Sequence, residues 1–221
     1  MASILPADPT LDEIRAALAP LIADNAAFDG FGEAALTAAA ERAGVDPDVA
    51  RLAFPGGARD QVDAWFADID AAMAGRWPPE RLAALKIRER ITTLVETRLD
   101  LLAPRRESLR RALALLALPT NVPFAAKLGW RSADVMWRLA GDTATDYNHY
   151  SKRAILGAVY ASTLAVFLND ESANFADTRA FLARRIDGVM RFEGWKHRRA
   201  ARRSERPSIA RFVGRLRYPG R

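Results

Sequence analysis

The residue types that most often do chemistry are sparse in this chain. Among its 221 residues there is no cysteine, and the two histidines are His149 and His197. Without cysteine the chain has no disulfide, no thiolate nucleophile and no zinc–thiolate site. Neither histidine stands in the Glu-x-x-His or His-Glu-x-x-His spacing, which argues against a di-iron bundle and a zinc protease. The sequence therefore predicts no metal site.

His149 comes closest to a catalytic arrangement. Asp146 precedes it by three residues, so both would share one face of a helix, but such pairs are usually solvated. An aromatic residue at the surface or at an interface is the simpler interpretation of His149. Pro-Gly-Gly at 55–57 precedes a helix but lacks the lysine and the spacing of a phosphate-binding loop. We predict no catalytic residue, no cofactor and no enzymatic activity.

His149 belongs to a segment, 141–168, whose two halves differ in character. The first half is polar and carries three aromatic rings, Tyr147, His149 and Tyr150. The second half, 154–168, holds 15 residues without a charge. That is fewer than the roughly 20 apolar residues that a spanning helix needs. Composition leaves two alternatives for this half, an ordinary buried core helix or the wall of an apolar ligand cavity.

Helical periodicity runs through the rest of the chain, and no segment alternates with the period of a strand. The other predicted helices cover 11–23, 34–43, a short one after the N-cap Asp46, 59–73, 80–102, 104–118, 123–140 with a candidate break at Gly129, and one to about 190 capped by Asn174. We therefore expect an all-α protein.

Residues 34–66 resemble the N-terminal helix-turn-helix of the TetR-type repressors. Gly44 is placed to end one helix, and Asp46 with Pro47 to begin the next. Charge argues against DNA binding, because Arg51 is the one basic residue of the would-be recognition helix and residues 1–75 have a net charge of −9. We predict a TetR-like helical bundle with a degenerate helix-turn-helix that binds no nucleic acid. The alternative is a ligand-responsive TetR-type transcriptional regulator.

The C-terminal end has the opposite charge. Residues 191–221 have a net charge of +9, and a basic linker at 196–206 precedes a short helix that begins at Pro207. In that helix Ile209, Phe212, Val213 and Leu216 form an apolar stripe, and Arg211 and Arg215 lie on other faces. An anionic membrane surface fits an apolar stripe beside arginines best; nucleic acid and a solvated or self-docked tail are the alternatives.

Several motifs resemble the lipid-binding accessory protein of coenzyme Q (ubiquinone) biosynthesis, over about residues 110–192. They are Met136-Trp137, Ala140-Gly141-Asp142, Thr145-Asp146-Tyr147-Asn148, Tyr150-Ser151-Lys152-Arg153 and Phe175-Ala176-Asp177-Thr178. The resemblance implies a TetR-like fold without DNA binding, a homodimer, an apolar pocket for an isoprenoid lipid or quinone intermediate, and a terminal amphipathic helix on the membrane. It also implies partnership with the di-iron hydroxylase that acts on demethoxyubiquinone.

The same resemblance implies which residues act. The hydroxylase contact would fall on Met136, Trp137, Asp146, His149 and Tyr150; eukaryotic members of the family tend to have tryptophan at the position of His149. The lipid contact would fall on Ile155, Ala158, Val159, Ser162 and Phe167.

Three regions and one location follow from these expectations. Residues 1–77 would form the helix-turn-helix-like domain, 78–195 the lipid-binding domain, and 196–221 the basic linker with the membrane-associating helix. The sequence begins without the basic and apolar run of a signal peptide. We expect a protein peripherally associated with the inner face of the membrane, on the cytoplasmic side in a bacterium or on an equivalent matrix side.

Overall fold

The computed structural model describes residues 5–204 except 7, 144 and 146, and for 147 and 192–204 it describes the backbone alone. The described residues form ten α-helices and three short 3-10 helices without a strand, which confirms the all-α prediction. The α-helices are α1 (Leu11–Asp29), α2 (Glu33–Ala43), α3 (Pro47–Ala53), α4 (Ala58–Arg76), α5 (Pro79–Ala83), α6 (Ile87–Leu102), α7 (Arg106–Leu116), α8 (Val122–Leu139), α9 (Tyr147–Phe167) and α10 (Ala176–Ser204).

The N-terminal helices begin and end where local sequence favours it. Thr10 and Glu13 form a capping box at the start of α1, in which the Glu13 carboxylate accepts the Thr10 N–H at 2.8 Å. Gly44 ends α2 in the left-handed region with a φ of 69°. Asp46 caps α3 by accepting two N–H groups of its first turn. The predicted turn between α2 and α3 is confirmed.

Helix α1 is the centre of the N-terminal core. It packs against α2, α3, α4 and α7. Ile14, Leu18 and Ile22 recur every four residues on its buried face, and each is at most 2% exposed. Burial of such a side chain contributes about 1.5–3 kcal/mol. This spacing is the reason why the helix is recognisable from sequence.

The long helix predicted over 80–102 is wrong: the structure has α5 and α6 in its place, separated at 84–86. At the break the Glu89 carboxylate accepts the Lys86 N–H at 3.0 Å and starts α6 anew. The Arg90 guanidinium satisfies two carbonyls freed by the break, those of Ala83 and Leu85, at 2.9 and 2.8 Å. The apolar period continues across the break, so periodicity alone could not reveal it.

Three further expectations need correction at helix ends. Helix α8 runs through Gly129 without a break. Helix α9 comes close to this residue, because a Cβ on Gly157 would lie 3.9 Å from the Gly129 carbonyl oxygen. The cap of α10 is supplied by Ser172, whose Oγ accepts the Asp177 N–H at 3.1 Å, and Asn174 is left-handed with a φ of 53°. Helix α10 continues to Ser204, beyond the expected end near 190, because its last turns are rich in alanine, arginine and lysine.

Two compact units divide the chain, Met1–Leu182 and Ala183–Arg221. The predicted boundaries after residues 77 and 195 stay predictions. Within the described residues, no helix taken singly has the length and apolarity to cross a bilayer. The segments Ile87–Leu116 and Pro119–Leu139, bent by 90° at their break, pass together on length and composition alone.

Candidate functional site

A cluster of ion pairs joins the end of α8 to the start of α9. Arg153, whose side chain is 2% exposed, donates through Nε to Asp134 at 2.6 Å and through Nη1 to Asp142 at 3.0 Å. Lys152 Nζ contacts the other carboxylate oxygen of Asp142 at 2.7 Å. Asp142 is buried, and two cations compensate its charge. These contacts give a physical reason for the acidic and basic residues of the motif quoted above.

The turn between the two helices is fixed by additional contacts. Gly141 has a φ of 87°, and a Cβ at this position would lie 3.2 Å from Arg90 Nη1, which donates to the Ala140 carbonyl at 2.8 Å. The Trp137 indole donates to the Lys152 carbonyl at 3.0 Å, and Lys152 Nζ lies 5.3 Å from the Trp137 ring centroid. The start of α9 is therefore held rigidly against α8.

Three aromatic rings meet on the outside of this helix pair, and we call Trp130, His149 and Tyr150 the aromatic surface. The His149 and Tyr150 ring centroids are 5.1 Å apart, and Trp130 lies 6.4 Å from His149 and 6.0 Å from Tyr150. Tyr150 is 61% exposed and Trp130 37% exposed. Exposed tryptophan and tyrosine rings held in place by packing are typical of the residues that dominate protein–protein contacts.

The structure brings together only part of the predicted partner site. His149 is half-buried and Tyr150 is exposed, but Met136 is fully buried, and Trp137 is half-buried against Lys152. Asp146 lies outside the described residues. The hydroxylase contact stays a prediction for all five residues.

Trp130 is absent from the predicted partner site. It comes 19 positions before His149 in the sequence, and only the packing of α8 on α9 brings the two rings together. The antiparallel pairing of two helices joined by a short loop is the signal that could have found it.

Of the five predicted lipid-contacting residues, Ile155, Ala158, Val159 and Ser162 share one side of α9 by their spacing, but the five differ in burial. Val159 and Phe167 are buried, Ile155 and Ser162 are half-buried, and Ala158 is exposed. Their assignment stays a prediction. The buried face of α9 also contains Leu156, Tyr160, Thr163 and Leu164.

The exposed face of α9 is a ridge of small residues that begins at Tyr150. Its members are Ala154, Ala158, Ala161 and Ala165, all exposed. Val122 and Ala126 are exposed on α8 at the same four-residue spacing before Trp130. The two helices together present an apolar face that ends at the aromatic surface.

Two arginines of α7 donate to carbonyls that lie just after the end of α9. Arg106 donates to the carbonyls of Leu168 and Asp170 at 3.0 and 2.8 Å, and Arg110 donates to Leu168 at 2.7 Å. The Arg106 guanidinium also lies 5.6 and 5.4 Å from the ring centroids of Phe167 and Phe175. Both ends of α9 are therefore fixed by charged side chains.

The connection to α10 is organised around the Asp170 carboxylate, which is 5% exposed. It accepts the N–H and hydroxyl of Ser172 at 2.8 and 2.5 Å and those of Thr178 at 2.8 and 2.6 Å. Burial by itself would raise the pKa of this carboxyl, but the four hydrogen bonds outweigh it and hold the pKa of Asp170 far below its usual range.

The surface of α3 is poor in free positive charge. Arg51 Nε donates to Glu33 at 2.6 Å, and its guanidinium also contacts Asp48. The Glu33 carboxylate is the main reason why the pKa of Arg51 is raised. The remaining exposed side chains of α3 include Val49 and Leu52, which have no use against phosphate.

Other candidate sites have little to support them. An open cleft of about 440 Å³ at the start of α6 is lined by Lys86, Arg88, Glu89, Thr92 and Thr93, which suits no isoprenoid chain. Among the described residues no group of three or more His, Asp or Glu could hold a metal ion. The predicted membrane-binding residues Ile209, Phe212, Val213, Leu216, Arg211 and Arg215 lie outside the described residues and stay predictions.

Comparison with known proteins locates a family domain on this helix pair. Residues 122–193 match the profile of the COQ9 family. Human "Ubiquinone biosynthesis protein COQ9, mitochondrial" is 45% identical over 96 residues, which is 43% of this chain and 30% of the human protein. A Drosophila melanogaster protein of the same name is 25% identical over 187 residues, 83% of this chain and 57% of its own length. The matched region thus spans less than two thirds of these relatives.

A solved structure extends the similarity to the N-terminal helices. The TetR transcriptional regulator from Nitrosomonas europaea ATCC 19718 superposes with a TM-score of 0.63 and 25% sequence identity, covering 79% of this chain and 96% of the regulator. This confirms the TetR-like fold. The chain therefore combines a TetR-like helical fold with a region, residues 122–193, that matches the COQ9 family.

Proposed function

We propose that the protein is a non-catalytic accessory protein of ubiquinone biosynthesis, which binds an isoprenoid quinone intermediate and presents it to the di-iron demethoxyubiquinone hydroxylase. The observation that carries the proposal is the aromatic surface, which lies inside the matched domain and is supported by a buried ion-pair cluster. The names of the curated relatives support the pathway.

The aromatic surface is the proposed contact for the hydroxylase. Trp130 and Tyr150 offer large rings at a low cost in side-chain entropy, because their neighbours already hold them in place. Lys152 is partly exposed beside them, so a partner with a complementary carboxylate would gain additional affinity.

The proposed lipid site is bounded by the apolar half of α9. An isoprenoid tail that left the bilayer unaided would expose many CH₂ groups at about 0.8 kcal/mol each. A protein cavity lowers that cost, and a basic amphipathic C-terminal helix would bring the cavity to an anionic membrane. We place the protein on the face of the membrane where the hydroxylase works, which is the matrix side in mitochondria and the cytoplasmic side in bacteria.

A homodimer is part of the proposal. The exposed ridge Ala154, Ala158, Ala161 and Ala165 consists of small apolar residues, which let a second helix pair approach closely. We expect Ala161→Arg to shift the protein from dimer to monomer in sedimentation experiments, and a dimer that survived this substitution would remove the ridge from the interface.

The test of the partner site is binding of the full-length protein to its cognate hydroxylase. Trp130→Ala and Tyr150→Ala are each expected to weaken binding about tenfold to thirtyfold, as truncation of a central aromatic residue commonly does. Leu52→Ala is the matched control, since Leu52 is 65% exposed and lies on α3, outside the helix pair that carries the aromatic surface. Binding that is unchanged in both aromatic variants would contradict the proposal.

A ligand-responsive regulator is the second candidate, because the solved structure that shares this fold is a transcriptional regulator. The paired Arg51 on α3 and the acidic N-terminal helices weigh against it. Tight, sequence-selective duplex binding that weakens steeply with salt would establish the regulator and overturn the accessory role.

A further inference from the structure

A row of alternating charges joins four helices of the unit Met1–Leu182, from α1 to α6. In order, its members are Arg15 on α1, Asp63 on α4, Arg131 on α8, Asp70 on α4 and Arg98 on α6. None of these residues has a role in the predictions from sequence, and the proposed function does not use them.

The two acidic members of the row belong to α4, and Arg15 connects α1 to that helix. Arg15 contacts the Asp63 carboxylate at 3.2 Å and that of Asp60 at 3.7 Å. It also donates to the carbonyls of Ala53, at the end of α3, and Asp60, both at 3.1 Å. Arg15 therefore connects the end of α3, in the helix-turn-helix, to α4.

Arg131 carries the row from α4 to α8. Its guanidinium pairs with the Asp63 carboxylate, donates to the Asp63 carbonyl at 3.0 Å and places Nε 3.5 Å from Asp70 Oδ2. Burial raises the pKa of Asp70, and Arg98 and Arg131 oppose that shift. The Arg131 guanidinium is thus hydrogen-bonded to Asp63 and lies within ion-pair distance, without a hydrogen bond, of Asp70 two turns further along α4.

Arg98 contacts Ser132, the residue of α8 that follows Arg131. It is 1% exposed, pairs with the Asp70 carboxylate, and donates to Ser132 Oγ and the Tyr160 hydroxyl, both at 3.1 Å. Two consecutive residues of α8, Arg131 and Ser132, are thus held by directional polar contacts. Trp130 precedes them, and successive residues of a helix point about 100° apart.

Apolar packing alone would fix α8 poorly. Its large buried side chains are Leu128 and Met136, and small residues such as Gly129 and Ala133 lie between them. A helix with few large side chains in the core can rotate or slide at low cost. A guanidinium that donates to both the carboxylate and the carbonyl of Asp63 tolerates little movement. The rotation of α8 sets whether Trp130 reaches His149 and Tyr150.

We propose that the N-terminal helices serve as a brace, in which Arg131 is a positioning residue that fixes the rotation of α8 and thereby completes the aromatic surface. The degenerate helix-turn-helix then has a structural function that does not involve DNA, since Arg15 anchors α4 to it. The effect on partner binding rests on the proposed function, but the effect on α8 does not.

The test compares Arg131→Met with Arg42→Met in the full chain. Arg42 forms an exposed pair with Asp24 at 3.1 Å in the same N-terminal helices but away from α8, which makes it the control. We expect hydrogen–deuterium exchange of peptides within 122–139 to rise at least tenfold in Arg131→Met and to stay unchanged in Arg42→Met. Affinity for the cognate hydroxylase should fall about tenfold in the first variant alone.

Rescue separates positioning from simple loss of stability. Arg131→Lys keeps the charge without the fork and should give an exchange rate between those of the wild type and of Arg131→Met. If Arg131→Met fails to fold, Asp63→Asn removes the same contact with Arg131 intact.

Unchanged exchange in α8 of Arg131→Met, or exchange in Arg131→Lys that is as slow as in the wild type, would overturn the brace. Hydroxylase binding that falls in Tyr150→Ala but not in Arg131→Met would overturn it and leave the proposed function standing. Binding indifferent to Trp130→Ala and Tyr150→Ala would instead reject the proposed function, and the exchange measurement would still decide the brace.

Discussion

At the scale of single residues, Arg153 contributes more to the geometry of the candidate site than any exposed side chain does. Its guanidinium is buried between Asp134 and Asp142 at the point where α8 turns into α9. Removing one partner of a buried ion pair is costly because the other charge stays buried without compensation. The aromatic surface therefore depends on a residue that no partner would touch.

We predict that Arg153→Met destabilises the protein by about 3–5 kcal/mol, the usual cost of breaking a buried pair. Arg138→Met is the matched control, because Arg138 pairs with the same Asp134 at 2.8 Å but is 73% exposed. Its cost should stay within about 1 kcal/mol, as for surface pairs. Urea unfolding of the two variants measures the difference, and equal costs would show that burial of Arg153 is unimportant.

Asp170 gives the second residue-scale prediction. Its folded pKa lies below the unfolded value, so its contribution to stability is present above about pH 4 and is lost as the pH falls towards the folded pKa. We expect Asp170→Asn to lower the free energy of unfolding by about 1.5–3 kcal/mol at pH 7, the worth of hydrogen bonds to a charged group. The difference from the wild type should shrink below pH 4.

The control for that experiment is Glu171→Gln, a change of the same kind at an exposed neighbour. Its unfolding free energy should match the wild type within about 0.5 kcal/mol. A destabilisation by Asp170→Asn that did not change between pH 3 and pH 7 would show that the carboxylate charge contributes nothing.

At the scale of elements, the α8–α9 pair separates two tasks. Its inner side is fixed by ion pairs and its outer side presents rings and small residues. The break between α5 and α6 is connected to this helix pair, since Arg90 donates both to the Ala83 carbonyl at the break and to the Ala140 carbonyl at the end of α8. A helix end far away in sequence thus helps to hold the turn before α9.

The amphipathic helix predicted from sequence after Pro207 yields the element-scale prediction. Ile209→Asp with Phe212→Asp should abolish flotation with anionic liposomes, because two charges would have to enter the interface with the apolar stripe. Ala210→Asp with Gly214→Asp adds the same two charges off the stripe and should leave most of the flotation intact. Equal flotation of both double variants would remove the membrane role of the stripe.

At the scale of the whole molecule, the uneven charge is the main feature. The first 75 residues have a net charge of −9, and residues 191–221 have one of +9. Attraction to an anionic surface would act on one end of the chain and be opposed at the other. Association with membranes should therefore weaken with salt.

Lipid content tests the molecule as a whole. We expect mass spectrometry of lipids that copurify with the full-length protein to show isoprenoid quinone intermediates enriched over phospholipid. An unrelated soluble protein purified from the same cells is the control. Recovery of phospholipid alone would contradict the quinone specificity.

Sequence by itself determined the all-α fold, most helix positions and the N-terminal turn. These features depend on local signals, such as the buried four-residue spacing of α1, the left-handed Gly44 and the Asp46 cap. The motif around Gly141 and Tyr150 was equally visible, because its residues are close together in the chain.

Tertiary structure alone decided which of those residues form a surface. It buried Met136, added Trp130 from the neighbouring helix and connected five charges from four helices into one row. Side chains that are 19 to 68 positions apart meet only after the helices pack, and periodicity within one helix carries no information about its neighbour. The motif of the candidate site is therefore readable from neighbouring residues in the sequence, whereas its geometry depends on contacts between residues far apart in the chain.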